Sequence, residues 1–335
     1  MNRSRWAAWL RLLAGLAILV ALVGHLGSAA FLDGLRRIDA GTLLAALAIG
    51  ALTTVFSAWR WCLVARGLGL RLPLGGAVAD YYRALFLNAA LPGGVLGDVH
   101  RAVHHGRHSG DLGRGVRAVV LERTAGQLVL LVAGTVVLLV RPSPVLAPVT
   151  RFLTLPAVAL TAAAAGVLLA AGAVLLRRRR GASRAERALR TVLTEARQGL
   201  LARGVWPGVA LSSVVVLAGY LGMFVLAARV AGADAPTAEL VPLVVLALLA
   251  MALPLNVGGW GPREGAAAWA FGAAGLGAAQ GLTTAVVYGV LAFVASLPGA
   301  CVLVVRRSAE RRTERPQFEF EERVLAEQGA SQRRA

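Results

Sequence analysis

Two segments of the chain set charged and amide side chains beside breaks in the backbone. The first carries Arg83, Asn88, Leu91-Pro92-Gly93-Gly94, Gly97-Asp98 and Arg101; the second carries Pro254, Asn256, Gly258-Gly259, Gly261-Pro262 and Arg263-Glu264. Proline removes a backbone donor and glycine favours non-helical backbone, so each segment reads as a helix that stops and restarts. A restarting helix offers free N–H groups to an anion, and Arg83, Arg101 and Arg263 can add charge-assisted bonds to a phosphodiester. This is chemistry for holding an anion. The structural alternatives are that Arg101 snorkels to a membrane face, that Asp98 caps a helix, and that Glu264 caps the helix begun by Pro262 or pairs with Arg263. Glu122-Arg123 lies just inside an apolar run, where charges usually face a bundle interior or cavity. Arg60, between Trp59 and Trp61, reads as an interfacial anchor.

Other chemistries find little support. His100, His104 and His108 share a helical face, which is compatible with a metal, but a solvated basic loop is the preferred reading and no metal is expected. Cys62 and Cys301 both fall in apolar runs, leaving no disulfide framework or thiolate site. No nucleophile elbow, phosphate loop, zinc-protease helix or paired-carboxylate hydrolase pattern occurs, so no catalytic residue, enzyme activity or cofactor is expected. All 35 basic residues are arginine, so the choice of arginine over lysine at any one position carries no information.

The elements that must position these residues are membrane helices. Apolar residues make up 57% of the 335 and charged residues 16%, against about 45–50% and about 25% in ordinary globular chains. Apolar runs at 7–26, 42–65, 116–140, 154–176, 206–229 and 279–305 are each near the ~20 residues of a bilayer-spanning helix. The fold class is therefore an all-α polytopic membrane protein with about six full spans. The broken segments, 75–97 and 240–262, are read as re-entrant hairpins, because non-helical backbone is tolerated at membrane depth only where protein or a wet cavity satisfies it. The net charge of +18 belongs to the membrane surface rather than to nucleic acid, since the arginines lie in gaps between apolar runs and in the tail. With both hairpins re-entrant and the N-terminus inside, inside segments hold 27 arginines and outside segments six, as the positive-inside rule requires. The expectation is a multi-pass plasma-membrane protein with both termini cytoplasmic.

A displacement of 162 residues places Leu91, Pro92, Val95, Gly97 and Arg101 on Leu253, Pro254, Val257, Gly259 and Arg263. Each half, about 7–140 and 154–305, reads span, span, hairpin, span and starts on opposite sides of the membrane. That is an inverted-topology repeat, an arrangement common among transporters. Arg3, Arg5 and Arg11 before an apolar core, with Ser28-Ala29-Ala30 after it, also resemble a signal peptide. The repeat argues against cleavage, because the span at 7–26 is the partner of 154–176. Residues 1–307 form one transmembrane domain, and 308–335 a charged cytosolic tail too short for a catalytic domain.

Three motifs together resemble the lysylphosphatidylglycerol synthetase transmembrane region, or flippase-like domain, family, typified by the multiple peptide resistance factor. They are Asn88-x-x-Leu-Pro-Gly-Gly-x-x-Gly-Asp-x-x-Arg101, Glu122-Arg123-x-x-Gly126 and Pro254-x-x-x-Gly-Gly-x-Gly-x-Arg-Glu264. The resemblance implies movement of aminoacylated phosphatidylglycerol between leaflets, with a separate soluble domain attaching the amino acid; that synthesis is not carried over to this chain. Stand-alone members accompany glycolipid and polyprenyl-linked pathways. The expected function is thus translocation of an anionic or aminoacylated phospholipid or a lipid-linked intermediate, with a separately encoded lipid-modifying enzyme as partner. The expected substrate-binding set is Arg83, Asn88, Asp98, Arg101, Glu122, Arg123, Asn256, Arg263 and Glu264. The alternative is a membrane component of a glycosyl- or aminoacyl-transfer pathway on lipid-linked substrates.

Overall fold

The computed structural model describes residues 36–90, 95–140, 194–252 and 261–305. The spans expected at 7–26 and 154–176, the tail, and the hairpin breaks Pro92, Gly93, Gly94, Pro254, Asn256, Gly258 and Gly259 lie outside the described residues. The principal helices, in chain order, are α1 (Ala40–Gly67), α2 (Leu74–Ala90), α3 (Leu96–His108), α4 (Leu112–Val140), α5 (Trp206–Val230), α6 (Thr237–Met251), α7 (Pro262–Ala273) and α8 (Ala278–Ser296). Residues 194–201 add a helical turn or two before α5, and helical backbone continues from α8 toward Val305. Among the described residues there is no strand.

Among the described residues, four helices are long and apolar enough to cross a membrane: Ala40–Gly67, Leu112–Val140, Trp206–Val230 and Ala278–Val305. The expected runs at 42–65, 116–140, 206–229 and 279–305 coincide with them to within a few residues. Asp39 caps α1, accepting from the Thr42 amide at 2.7 Å, and this bonding holds its carboxyl below the usual value. Trp206-Pro207 opens α5, where a missing N–H costs nothing.

The distribution of polarity is that of a membrane protein. Leu128, Leu131, Val132, Val136 and Leu139 of α4, Leu211 and Val214 of α5, and Leu44, Leu52 and Val55 of α1 are exposed, whereas Arg60, Asp80, Arg83, Arg101, Glu122, Arg263 and Glu264 are buried. Lipid accepts such apolar faces; charges within spans turn to the bundle interior.

α1 packs on α5, with Thr53 against Gly219 and Trp59 and Leu63 against Gly208, so the two helices run antiparallel. The other principal packings come in pairs. α1 lies on α4 as α5 lies on α8, α1 on α2 as α5 on α6, α2 on α3 as α6 on α7, and α3 on α4 as α7 on α8. Across the halves, α1 meets α8 as α5 meets α4, and α2 meets α8 as α6 meets α4. Displaced by 162 residues, Leu74–Ala90 falls on 236–252 beside α6, and Leu96–His108 on 258–270, overlapping α7. One core cluster joins Ala46, Phe224, Leu248, Tyr288 and Leu291; another joins Trp61, Tyr81, Ala102 and Val119.

Small residues permit the closest approaches. At Gly97, the first turn of α3 sits on the Ala84 backbone of α2, and an added Cβ would overlap that backbone. Gly115 lets α4 lie equally close to Gly106 of α3. A Gly97→Val substitution must force α2 and α3 apart. It is expected to destabilise the protein by about 1–3 kcal/mol, read as a lower unfolding temperature in detergent; an unchanged transition would mean that the α2–α3 contact contributes little to the fold.

Candidate functional site

The site grows from the break between α2 and α3. Asn88, near the end of α2, accepts the Gly97 amide hydrogen at 2.7 Å through Oδ1 and donates from Nδ2 to Asp98 Oδ2 at 3.0 Å. One side chain thereby satisfies an orphan N–H of the restarting helix and fixes the carboxylate beside it. Asp98 is bound by two arginines as well as by Asn88. Its Oδ1 accepts from Arg101 Nε at 2.9 Å and Arg123 Nε at 3.2 Å, and its Oδ2 accepts from Arg123 Nη2 at 2.5 Å.

Glu122 of α4 forms the centre of this group and has no accessible surface. Its Oε1 accepts from Arg60 Nε at 3.0 Å, Arg60 Nη2 at 2.5 Å and the Tyr81 hydroxyl at 3.3 Å; its Oε2 accepts from Arg101 Nη2 at 2.7 Å. Arg60 Nη1 also donates to Ser213 of α5 at 3.1 Å, tying the group to the second half. Gly126, one turn along α4, leaves room for the Arg60 guanidinium, since a Cβ there would lie 3.2 Å from both of its terminal nitrogens. The Arg101 guanidinium lies over the Tyr81 ring at 4.4 Å and over the Trp61 ring at 4.8 Å.

Three guanidiniums therefore face two carboxylates. Among the described residues the cluster carries one positive charge in excess, and Arg101, fully buried, keeps one nitrogen, Nη1, without a hydrogen-bond partner. A buried unpaired donor is costly, and a charged one more so. Access is uneven: the Arg123 side chain is 41% exposed, that of Asp98 15% and that of Glu122 0%. Arg123 and Asp98 are thus the members of the group open to the exterior.

The interfacial reading of Arg60 is corrected by this geometry. Arg60 is 4% exposed and bound to Glu122 in the interior. Its two tryptophan neighbours suggested the membrane surface, whereas the stronger signal was Glu122, an acid inside a span that needs a counter-charge at the same depth. Tyr81, Trp61 and Ser213 were also missed; they carry no charge or break that singles them out in sequence.

Arg83 does not join the cage through its observed bonds. It donates to Asp80 at 3.1 Å on its own helix, and Asp80 also meets His104 Nδ1 at 3.3 Å. In the second half, Glu264 Oε2 accepts the Gly261 amide hydrogen at 2.6 Å, and Arg263 Nε reaches Glu264 Oε1 at 3.0 Å. Both structural alternatives for Glu264, capping and pairing with Arg263, are thus realised together. Gly261 takes φ 112°, a conformation suited to glycine, at the start of α7. Arg263 lies over the Tyr288 ring at 5.0 Å, so the equivalent arginines of the two halves each rest on an aromatic ring. Tyr220 of α5 lies within electrostatic range of Tyr81, Tyr288, Arg60 and Arg123.

The histidines do share a face: His100 stacks on His104 with centroids 6.1 Å apart, and His104 lies 4.4 Å from His108. Among the described residues, no three His, Cys, Asp or Glu side chains converge in a way that could hold a metal ion.

An all-helical chain with an apolar exterior and an ionic interior defines a polytopic membrane protein. Residues 8–299 match the family described as the lysylphosphatidylglycerol synthase TM region, and the chain belongs to that family. Neither a curated protein nor a solved structure matches it.

Proposed function

We propose that the protein moves a phosphate-bearing lipid, an anionic or aminoacylated phospholipid or a lipid-linked intermediate, between the leaflets of the plasma membrane. The observation that carries this reading is the buried cage of Arg60, Arg101 and Arg123 around Glu122 and Asp98, with its single positive excess. The one negative charge of a phosphodiester would bring the cage to neutrality. Glu122 is wholly enclosed and acts as the fixed counter-ion; Asp98 is the accessible carboxylate that a phosphate displaces from Arg123 and Arg101. An amine on the head group would then find Asp98 released to receive it. Exchange of one acceptor for another holds a phosphate without trapping it.

On this reading the two halves form an inverted repeat. The antiparallel contact of α1 with its counterpart α5 supports it, because a two-fold axis that relates antiparallel neighbours runs across the helices, in the membrane plane. The short pairs α2–α3 and α6–α7 are re-entrant hairpins entering from opposite faces, and with the two spans outside the described residues the chain makes six crossings with both termini cytoplasmic. Arg101 and Arg263 mark the two ends of the lipid path. A separately encoded enzyme supplies the modified lipid.

The test is reconstitution of the full chain into vesicles carrying fluorescent phosphatidylglycerol, with head groups at the outer surface quenched chemically. The protein is expected to raise the fraction reached by the quencher above the one-leaflet value of protein-free vesicles, and aminoacylated and polyprenyl-linked lipids compete according to preference. If none of these lipids is moved, the proposal fails.

A further inference from the structure

A second feature lies at the end of the bundle where α1 and α3 stop and α2 begins. A cavity of about 420 Å³ opens there, lined among others by Arg71, Asp80, His104, His105, His108 and Ser109. The cage uses none of these residues. His105 is 5% exposed, and its Nε2 has no hydrogen-bond partner. Its ring meets the edge of Trp61 at 5.4 Å, the same ring over which Arg101 lies. Only one aromatic side chain therefore separates the floor of this cavity from the buried cage.

From this lining we infer a second anion site, one that takes a phosphate group. Asp80 is the one carboxylate in the set, and it is already engaged by Arg83 at 3.1 Å and by His104 at 3.3 Å. Beside them stand the exposed Arg71 guanidinium and the imidazoles of His105 and His108; the Ser109 hydroxyl donates to the His105 carbonyl at 2.8 Å. His108 Nδ1 lies 3.0 Å from the His104 carbonyl and donates there, so Nε2 becomes a donor when the ring is protonated. A cation is disfavoured by Arg71 and by the occupied Asp80. A phosphate fits on both counts: guanidinium offers a fork, His105 can supply an N–H from Nε2 by choice of tautomer, and His104 and His108, whose Nδ1 atoms already donate, supply one from Nε2 when protonated. A cavity of this size accommodates inorganic phosphate or a phospholipid head group with its glycerol. The site goes beyond the translocation reading and does not depend on it: it would load or retain a phosphate at the mouth of the bundle whether or not lipid crosses.

The experiment uses the full chain in detergent micelles, titrated calorimetrically with inorganic phosphate in one arm and with dioctanoyl phosphatidylglycerol in another. The double variant Arg71→Ala, His108→Gln changes two exposed side chains, and thermal unfolding verifies that it is folded. The wild type is expected to bind at least one probe, and the double variant to bind that probe about tenfold more weakly or worse. Binding of inorganic phosphate alone assigns the site to free phosphate; binding of the lipid alone assigns it to a head group. Arg101→Ala, run in parallel, is expected to remove only the lipid binding that belongs to the cage and to leave the component that the double variant loses. The inference is overturned if the wild type binds neither probe, if the double variant binds as well as the wild type, or if Arg101→Ala abolishes binding while the double variant does not. Binding of zinc chloride in place of both phosphate probes overturns it as well. Loss of lipid movement in the vesicle assay with pocket binding intact would separate failure of the translocation reading from failure of this one.

Discussion

Glu122→Ala is expected to cost the protein about 3–5 kcal/mol of stability, the size seen when one member of a buried ionic group is removed and its partners stay behind. The reason is the number of groups that depend on one carboxylate. Arg60 would lose both of its bonds to Glu122, Arg101 would lose the bond from Nη2, and Tyr81 its acceptor. Arg60 would retain Ser213 and Arg101 would retain Asp98, so the charges would remain in place and poorly neutralised. Glu122→Gln preserves an acceptor oxygen but removes the charge, and it is expected to fall between the wild type and the alanine variant. The measurement is the unfolding midpoint in detergent together with the yield of monodisperse protein. If Glu122→Ala unfolded with the wild-type midpoint, water or lipid would have to be satisfying both arginines, and the cage would not be a structural unit.

The long helices could be read from sequence because their signal is length and apolarity. Ala40–Gly67 and Trp206–Val230 match the expected runs almost end to end. The ends of two shorter helices were legible as well: α2 ends at Ala90 and α6 at Met251, two and three residues before Pro92 and Pro254, which cannot continue a helix. Partner choice was not legible. Arg60 and Glu122 are 62 residues apart, and Arg60 and Ser213 are 153 apart; only the packing of α1 on α4 and α5 brings them together. The aromatic neighbours worked against Arg60, since tryptophan flanks and a position near a span end look alike for an anchor and a buried ligand. Asp98 stands in the expected site set beside the capping alternative, and Arg123, 25 residues on, is a partner that its helix-start position does not indicate. Within the second half, Arg263 and Glu264 were legible as a pair because they are adjacent, and the Gly261 amide adds the cap.

Arg101→Ala and Arg263→Ala are each expected to reduce lipid movement by about a hundredfold or more, since two charge-assisted hydrogen bonds at about 1.5–3 kcal/mol each correspond to at least that factor. Arg101 is the member of the cage with a buried unpaired nitrogen, so its loss removes both the charge excess and the donor that awaits an acceptor. Arg263, at the equivalent place after the second break, would receive the same phosphate at the other end of the path. Arg→Lys is expected to restore part of the movement at either position, because a point charge replaces a planar fork that can bind two phosphate oxygens and lie flat on Tyr81 or Tyr288. Arg263→Ala is the cleaner variant of the two: Glu264 keeps its bond to the Gly261 amide, so the start of α7 remains capped. Outer-leaflet labelling in reconstituted vesicles, at matched protein content and with unfolding midpoints recorded, separates transport from stability. Unchanged labelling in both alanine variants would leave the arginines as structural counter-ions to Glu122 and Glu264, and the lipid would have to take a route that avoids both breaks.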